Sequence, residues 1–204
     1  MLVVGSGGAG MSAAVAARGA GAHTLLVTKA ALGASNTGRA QGGIQAAVGT
    51  GDTVASHFED TFAAGHRDGD PELVRTLVES GPDAIAWLAS IGVGFSREGG
   101  DFRVIRCGGA SRERLLQAGE RTGAEMVQSL RRAVREAQVD VWESAALVDL
   151  RPIGERWAAH VRHGDTTREV EAGAVVLAAG GGLAGEAAAR GVGSTNHPDA
   201  TPEV

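Results

Sequence analysis

The sequence predicts an α/β fold in which a parallel sheet is interrupted by a long helical insertion. Three observations support this fold. The apolar run Leu2–Val4 leads into a glycine-rich segment, residues 5–10, and then into an alanine-rich helix that reaches Arg18. A second buried strand, with an apolar centre, is predicted at residues 23–28 after that helix. A third, residues 174–178, is followed by Ala179 and three glycines. Short apolar strands joined through helices are typical of parallel sheets that are covered by helices.

We divide the chain, taken as one domain over residues 1–204, into three segments. Residues 1–29 form a Rossmann-like start of strand, helix and parallel strand. Residues 30–138 form a largely helical insertion, because no strand pattern of similar strength appears there. Residues 139–204 hold a β-meander, the last strand of the sheet and a tail that we expect to lie on the surface.

The first helix of the insertion begins where Asp70 caps it and Pro71 fills its first turn. Its predicted apolar face consists of Leu73, Val74, Leu77 and Val78.

A second helix is predicted from Pro82 to Ser90, with Ile85 and Leu88 turned inward and Gly92 as its stop. A third begins at Thr122, which has capping-box spacing to Glu125, and continues to Gln138.

Three strands of the predicted meander follow, at residues 139–142, 146–150 and 157–162. Residues 152–154, Pro-Ile-Gly, supply a turn signal between the second and third strands.

Composition excludes several classes of function. A net charge of −5 with interspersed signs gives no basic stripe for a nucleic acid. The apolar runs are far shorter than the roughly 20 residues that cross a bilayer, and the chain starts without a secretory signal, so we expect a cytoplasmic protein without direct membrane insertion. A single Cys107 excludes an internal disulfide. The six histidines show no metal-ligand spacing, and no hydrolase or kinase motif is present.

The glycine-rich segment carries the clearest chemical signal. Gly5, Gly7 and Gly10 have the spacing that turns the chain tightly and brings backbone N–H groups and a helix N-terminus to a pyrophosphate. An acidic residue usually follows the second strand and binds the ribose, but here Thr28 and Lys29 follow it. Lys29 could bind the 2′-phosphate of NADP, or it could lie against the pyrophosphate of another dinucleotide. The motif alone leaves both readings open.

The insertion resembles the succinate dehydrogenase/fumarate reductase flavoprotein family, which includes L-aspartate oxidase. The resemblance begins with Ser-Asn-Thr at 35–37, Ala-Gln-Gly-Gly-Ile at 40–44 and His-Phe-Glu-Asp-Thr at 57–61. It continues through Gly108 and Gly109, through Thr122 and Gly123, through residues 175–181, and through Thr195 and Asn196. It therefore covers nearly the whole chain in the family's order.

The resemblance implies FAD. It places Ser6 to Gly10 and Lys29 at the pyrophosphate and adenosine, residues 36–43 along the flavin, and Ala146 near the adenine. The backbone N–H groups of residues 41–43 could hydrogen-bond the isoalloxazine edge. Respiratory relatives attach FAD through a histidine where this chain has Asn36, so we expect non-covalent FAD. The expected cofactor-binding residues are Gly5, Ser6, Gly7, Gly8, Ala9, Gly10, Thr28, Lys29, Asn36, Thr37, Ala40, Gln41, Gly42, Gly43, Ala146, Ala179 and Gly180.

Two stretches depart from the family pattern. L-aspartate oxidases resemble one another in an Arg-Glu-Gly-Gly-His-Ser stretch, whose Glu is associated with selecting aspartate; here Cys107 and Ala110 replace the Glu and the His. Near the end, a Thr-Gly-Asp-Gly sequence is replaced by Thr-Pro-Glu-Val at residues 201–204.

We expect His57 to be a hydrogen-bonded structural residue.

The resemblance implies hydride transfer between a small dicarboxylate and flavin N5. The family's substrate-binding residues come from a capping domain and a returning segment that would follow residue 204, so we name no catalytic residue. We expect a partial FAD-binding domain whose full-length protein binds the dicarboxylate and passes electrons to an acceptor, which could be a partner subunit. Two alternatives are a non-catalytic FAD or nucleotide-binding module and, less favoured, an NADP-dependent reductase.

Overall fold

The computed structural model describes residues 1–181. Its helices are α1 (Gly8–Gly19), α2 (Asn36–Arg39), α3 (Val54–Ala64), α4 (Pro71–Ser90) and α5 (Thr122–Glu136). Its strands are β1 (Leu2–Val4), β2 (Leu25–Val27), β3 (Ile44–Gln45), β4 (Arg97–Glu98), β5 (Asp101–Phe102), β6 (Val104–Ile105), β7 (Leu115–Leu116), β8 (Asp140–Trp142), β9 (Ala145–Ile153), β10 (Arg156–His163), β11 (Thr166–Ala172) and β12 (Val175–Leu177). The motifs at residues 195–196 and 201–204, and the predicted surface tail, lie outside the described residues.

Two compact units make up the chain. Among the described residues, the first contains 1–39 and 126–181; the second contains 40–125. The second unit is therefore shorter than the insertion predicted over residues 30–138, and it contains short strands as well as helices.

A four-stranded parallel sheet forms the centre of the first unit. Its strand order is β12-β1-β2-β8, and β1 pairs in parallel with both β2 and β12. Leu2, Val3 and Leu26 have no exposed surface, which explains why these strands are uninterrupted apolar runs. The predicted α/β fold with a parallel sheet is confirmed.

The meander is built from different strands than predicted. β8 belongs to the parallel sheet, where it pairs with β2, so its assignment to the meander was wrong. The meander is β9-β10-β11, with both pairs antiparallel. The missed strand β11 is mostly polar and mostly exposed, and so it offers no apolar run to detect. The predicted turn at residues 152–154 begins too early, because Pro152 lies within β9, an edge strand where its missing N–H is tolerated.

In the second unit, α4 is one continuous helix, so the prediction of a new helix at Pro82 was wrong. The buried residues Val78, Ile85 and Leu88 explain the continuity, since their spacing keeps one face of the helix in the core across the proline. The predicted apolar face at the start of α4 is largely solvated, because Leu73 is 69% exposed and Leu77 62% exposed.

The capping box predicted at the start of α5 is also absent. The Thr122 hydroxyl accepts a hydrogen bond from the Ala118 N–H at 3.1 Å instead of capping the first turn. The Glu125 N–H donates to the carbonyl of Arg121. Thr122 therefore fastens the chain that precedes the helix. Within residues 1–181, no helix combines the length and the apolar character needed to cross a membrane.

Candidate functional site

The glycine turn between β1 and α1 is shaped first by backbone contacts. Gly5 has a φ of +104°, a conformation that L side chains rarely adopt. A Cβ on Gly5 would lie 2.3 Å from the carbonyl oxygen of Ala178, and one on Gly10 would lie 1.9 Å from the carbonyl oxygen of Gly5. Both glycines are therefore required by the close approach of the turn, the helix and the end of β12.

Gly7 is different. Its φ of −71° and ψ of −176° are open to any residue. A Cβ built on it would meet nothing closer than 3.7 Å, which is an ordinary contact with Ser35 and Thr37. Neither backbone strain nor packing explains a glycine here. The open position fits a residue that must let a ligand approach the backbone.

The N-terminus of α1 lies at this position. Gly7 is the N-cap and supplies no side-chain cap, while the Gly8 N–H donates to the Thr37 hydroxyl at 3.0 Å. No acidic residue is present in the first turn of the helix. The positive end of the helix dipole and its first-turn amides are thus arranged to favour an anion.

A cleft of about 300 Å³ opens beside the turn, within the first unit. Its lining includes these residues predicted from the sequence: Gly5, Ser6, Gly7, Gly8, Ala9, Thr28, Lys29, Asn36, Thr37, Ala179 and Gly180. The ends of three neighbouring parallel strands, β12, β1 and β2, meet here. This is the edge at which doubly wound sheets bind ligands.

Two hydroxyl groups hold the floor of the cleft. The Ser6 hydroxyl lies 2.8 Å from the Thr28 hydroxyl and accepts from the Gly33 N–H at 3.1 Å. Both side chains are buried. They join the ends of β1 and β2 to the segment before α2, so these two hydroxyls have a structural role.

Other predicted residues do not line this cleft. Gly10 packs beneath the turn, as its contact with Gly5 shows. Ala40, Gln41, Gly42 and Gly43 belong to the second unit. There the Gly42 carbonyl accepts from the Gln117 side chain at 3.0 Å, and a Cβ on Gly43 would lie 2.3 Å from the Leu116 carbonyl oxygen.

Ala146 lies in a neighbouring recess of about 210 Å³, which it lines together with Lys29, Ser144, Arg162 and Gly164. On the cleft itself β9 places Ala145 and Leu147, the residues on either side of Ala146. The position of Ala146 near the adenine stays a prediction.

An apolar wall completes the cleft and was missed from the sequence. It includes Val27, Ala145, Leu147 and Leu177. Leu177 is 62% exposed, an unusual degree for a residue in an apolar strand. An apolar surface beside a helix N-terminus suits a ligand with a planar ring and a phosphate. Alternate residues of a strand face the same side, so the sequence of β9 indicates two possible sets of residues on the cleft but not which set lies there.

A larger cavity, of about 690 Å³, lies in the second unit. Its lining carries charges of both signs, namely Arg103, Arg106 and Arg112 together with Asp52, Glu98, Asp101 and Glu113. Gly49 and Thr50, in the turn that precedes α3, are among its lining residues, but no residue of a helix N-terminus is. The cleft beside Gly7 is therefore the better candidate for a nucleotide.

His57 is buried, with 5% of its surface exposed. Its Nδ1 has no hydrogen-bond partner among the described residues, so the expected hydrogen bond is missing at that atom. Burial lowers the pKa of His57, and the nearby positive charge of Arg114 lowers it further. The imidazole is thus held neutral inside the second unit. Within residues 1–181, no group of three or more His, Cys, Asp or Glu side chains is arranged to hold a metal ion.

Comparison with known proteins identifies the same ligand class. A family model described as FAD binding domain matches residues 1–201. The L-aspartate oxidase of Streptomyces coelicolor is 43% identical over 192 residues, which are 89% of this chain and 33% of that protein. The chain spans about a third of the length of the curated relatives it matches.

Solved structures agree with this result. The open conformation of a flavocytochrome c3 fumarate reductase superposes with a TM-score of 0.87 at 32% identity, covering 98% of this chain and 38% of that chain. The Mycobacterium smegmatis Sdh1 complex superposes with a TM-score of 0.81 at 30% identity, covering 88% of this chain and 34% of that chain.

Proposed function

Because the chain belongs to the FAD binding domain family, we propose that it holds the FAD of an oxidoreductase that acts on a small dicarboxylate. When bound, FAD supplies a hydride acceptor or donor at flavin N5. The open position at Gly7, at the N-terminus of α1, is the observation that carries the cofactor assignment. The substrate class is supported by the similarity to an L-aspartate oxidase and a fumarate reductase.

The first unit supplies the groups that would hold the nucleotide. The backbone from Gly7 to Ala9 and the dipole of α1 favour the pyrophosphate. Lys29, at the end of β2, adds a positive charge to the cleft. Ala145 and Leu147 offer an apolar surface on which a planar ring can pack and from which water is excluded.

We assign residues 41–43 to the flavin edge as part of this proposal. Gly43 is fixed against the Leu116 carbonyl, whereas a Cβ on Gly42 would meet nothing within 4 Å. The pattern repeats that of the first turn, where Gly10 is packed and Gly7 is open. A fixed glycine beside an open one holds backbone amides in place and leaves them accessible to a ring that carries hydrogen-bond acceptors.

Attachment of FAD is proposed to be non-covalent. Asn36 lines the cleft, and its side-chain amide is not a nucleophile. Among the described residues that line the cleft, none is His, Cys or Tyr. The cleft therefore offers no side chain of the kind that forms a stable bond to the flavin ring.

Flavin binding by the purified chain tests the proposal. We expect quenching of FAD fluorescence on titration and a shifted visible spectrum, with FAD binding more tightly than FMN because only FAD carries the adenosine diphosphate that the α1 N-terminus and Lys29 recognise. Acid precipitation should release the yellow colour into the supernatant. A chain with no affinity for FAD refutes the proposal, and colour that stays in the precipitate refutes non-covalent attachment.

NADPH titration is the matching control, because Lys29 and Arg162 line the recess beside the cleft and two cations suit a 2′-phosphate. Tighter binding of NADPH than of FAD would favour the reductase alternative.

Dicarboxylate turnover is to be tested with aspartate, succinate and fumarate. The protein used should contain this chain and extend to the full length of its relatives. Binding of FAD without turnover of any of them would favour the non-catalytic module. The electron-accepting partner subunit and the cytoplasmic location stay predictions.

A further inference from the structure

The candidate cleft of the first unit is lined on one side by the loop that joins β2 to α2. This loop, residues 30–35, contributes Ala30, Ala34 and Ser35 to the lining. Leu32, at its middle, is not among the lining residues and is only 7% exposed. The shape of this side of the cleft therefore depends on the contacts that hold the loop from behind.

A carboxylate from the neighbouring strand end holds the middle of this loop. Oε1 of Glu143 accepts the Leu32 N–H at 2.6 Å, although the two residues are 111 positions apart in the sequence. A hydrogen bond to a carboxylate is stronger than one between neutral groups. The neighbouring Gly33 N–H donates to the Ser6 hydroxyl at 3.1 Å. The loop is thus fixed at two adjacent amides, one by a charged acceptor and one by a neutral acceptor.

Glu143 starts from a fixed backbone at the edge of the parallel sheet. It follows β8 directly, and residues 143–144 are the whole connection between β8 and β9. The Thr28 N–H donates to the Trp142 carbonyl at 3.0 Å, and the Ala145 N–H donates to the Thr28 carbonyl at 2.8 Å. Because these two bonds close the connection on both sides, the side chain of Glu143 is held beside the end of β2.

The carboxylate lies behind the loop and not on the surface of the cleft. None of the described residues that line the cleft is acidic, and Glu143 is not among them. At the end of β2, where an acidic residue often binds a ribose, this chain has Thr28 and Lys29. The charge of Glu143 is therefore directed at the back of the loop, and it adds no carboxylate to the surface that would meet the phosphates.

We propose that Glu143 is a positioning residue that holds the loop of residues 30–35 in the arrangement that binds FAD. This inference rests on the proposed function, since FAD is the ligand assigned to the cleft there. A loop that already has its bound arrangement loses less conformational freedom when the ligand binds. The measured Kd is the intrinsic Kd divided by the fraction of chains in the competent arrangement, so loss of the anchor raises the Kd.

Electrostatics and positioning predict opposite changes when Glu143 is replaced. The pyrophosphate of FAD is negative, so removal of a nearby negative charge by itself tightens binding. Removal of the anchor weakens it. Glu143→Ala removes both the charge and the acceptor, whereas Glu143→Gln removes the charge and keeps an oxygen that can accept the Leu32 N–H. The direction of the change in Kd therefore distinguishes the two roles.

The matched control is Glu155→Ala. Glu155 is an exposed glutamate of the same unit, it lies in the turn between β9 and β10, and it does not line the cleft. Its replacement changes the net charge by the same amount as Glu143→Ala and should leave the Kd for FAD unchanged. Urea unfolding of each variant verifies that the chain is folded before FAD is added.

Amide exchange at Gly33 and Ala34 follows the loop without any ligand. The Leu32 amide is less informative, because it loses its acceptor directly. A lost hydrogen bond to a charged group corresponds to a factor of about ten or more, so we expect exchange at both amides to rise about tenfold in Glu143→Ala. The Kd for FAD, measured by flavin fluorescence, should rise about threefold to tenfold, since its rise cannot exceed the change in the loop equilibrium. Glu143→Gln should lie between Glu143→Ala and the unmodified chain in both measurements.

Equal or tighter FAD binding by Glu143→Ala overturns the positioning role. Faster exchange with an unchanged Kd limits Glu143 to a structural role and overturns it as well. If Glu143→Ala does not fold, Glu143→Gln decides: weaker FAD binding with faster exchange at Gly33 supports the proposal, and equal or tighter binding overturns it. An unmodified chain with no affinity for FAD refutes the proposed function and this role with it, whereas failure of the variants in a chain that binds FAD refutes this role alone.

Discussion

Substitution of Gly7 by alanine isolates the part of the glycine turn that serves a ligand. The added Cβ has ordinary contacts of 3.7 Å, and its backbone angles suit alanine. The change of N-cap residue lowers the free energy of unfolding by up to about 1 kcal/mol. In the loaded protein the methyl group occupies the space beside the helix N-terminus and removes one charge-assisted bond to a phosphate. Such a bond contributes about 1.5–3 kcal/mol, or roughly a 10- to 150-fold rise in Kd for FAD.

Gly10→Ala and Gly19→Ala are the comparisons, since all three glycines lie at or within α1. A Cβ on Gly10 would lie 1.9 Å from a backbone oxygen, so the helix must shift, at a cost of about 1–3 kcal/mol or more. A Cβ on Gly19 meets nothing within 4 Å and should raise stability by up to about 1 kcal/mol.

The assays are urea unfolding of the ligand-free chain and titration of FAD followed by flavin fluorescence. The expected pattern has three parts: Gly7→Ala weakens FAD binding with a small loss of stability, Gly10→Ala mainly lowers stability, and Gly19→Ala leaves FAD binding unchanged. If Gly7→Ala binds FAD as tightly as the unmodified chain, the open position beside Gly7 is not where the cofactor approaches the backbone, and the reasoning fails.

Three further predictions follow from the second unit. The pKa of His57 is lowered by burial and by Arg114, so below about pH 6.5 the unfolded chain binds more protons than the folded chain. The free energy of unfolding should therefore fall as the pH drops from 7 to 5. In urea titrations, His57→Gln should remove that dependence on pH. The lowered pKa of Asp60 stabilises the fold above about pH 4 and is lost below it, so Asp60→Asn should flatten stability in that lower range; an unchanged acid transition would contradict this. Ile85→Ala should cost about 2–5 kcal/mol and Leu73→Ala less than about 0.5, since only Ile85 is buried; similar losses at both positions would argue against one continuous α4.

The parallel sheet could be predicted because its strands are covered on both faces. Leu2, Val3 and Leu26 are fully buried, and strands of this kind appear in a sequence as unbroken apolar runs. β11 could not be found in the same way. It lies at the edge of the meander and is mostly exposed, so its residues are chosen for solvent and carry no apolar pattern.

The prediction failed at Pro82 because the local conformational preference of proline and the packing of the helix in the core favour different structures there. Proline removes one helical N–H and clashes with the preceding turn, which favours a helix start. In the fold, Val78 and Ile85 lie on either side of it along one buried face. Burial of that face outweighs the local cost, and a single sequence offers no means of weighing the two terms.

The sequence predicted the glycine-rich backbone of the candidate site but not the apolar side chains that line the cleft. Residues 5–10 predict a nucleotide-binding turn, because glycines occur where the chain must turn tightly or where a ligand must approach the backbone closely. The same spacing gives no means of telling a glycine required by packing, such as Gly10, from one left open for a ligand, such as Gly7. The wall residues Ala145 and Leu147 depend on the phase of β9, and a shift of one residue exchanges its two faces.

Arg114 shows a limit of a different kind. It stands in the sequence Arg112-Glu113-Arg114, which has the composition of a solvated segment, and the two residues before it are indeed exposed. Its partners Asp52 and Asp60 lie more than fifty positions earlier, and only the folded chain brings the three groups together. Burial of an arginine is tolerable only with such partners, because an unpaired charge in the interior is far more costly than a paired one. The burial of Arg114 is therefore determined by the tertiary fold, which also places Asp60 where it pairs with Arg114 and accepts two hydrogen bonds from Ser111.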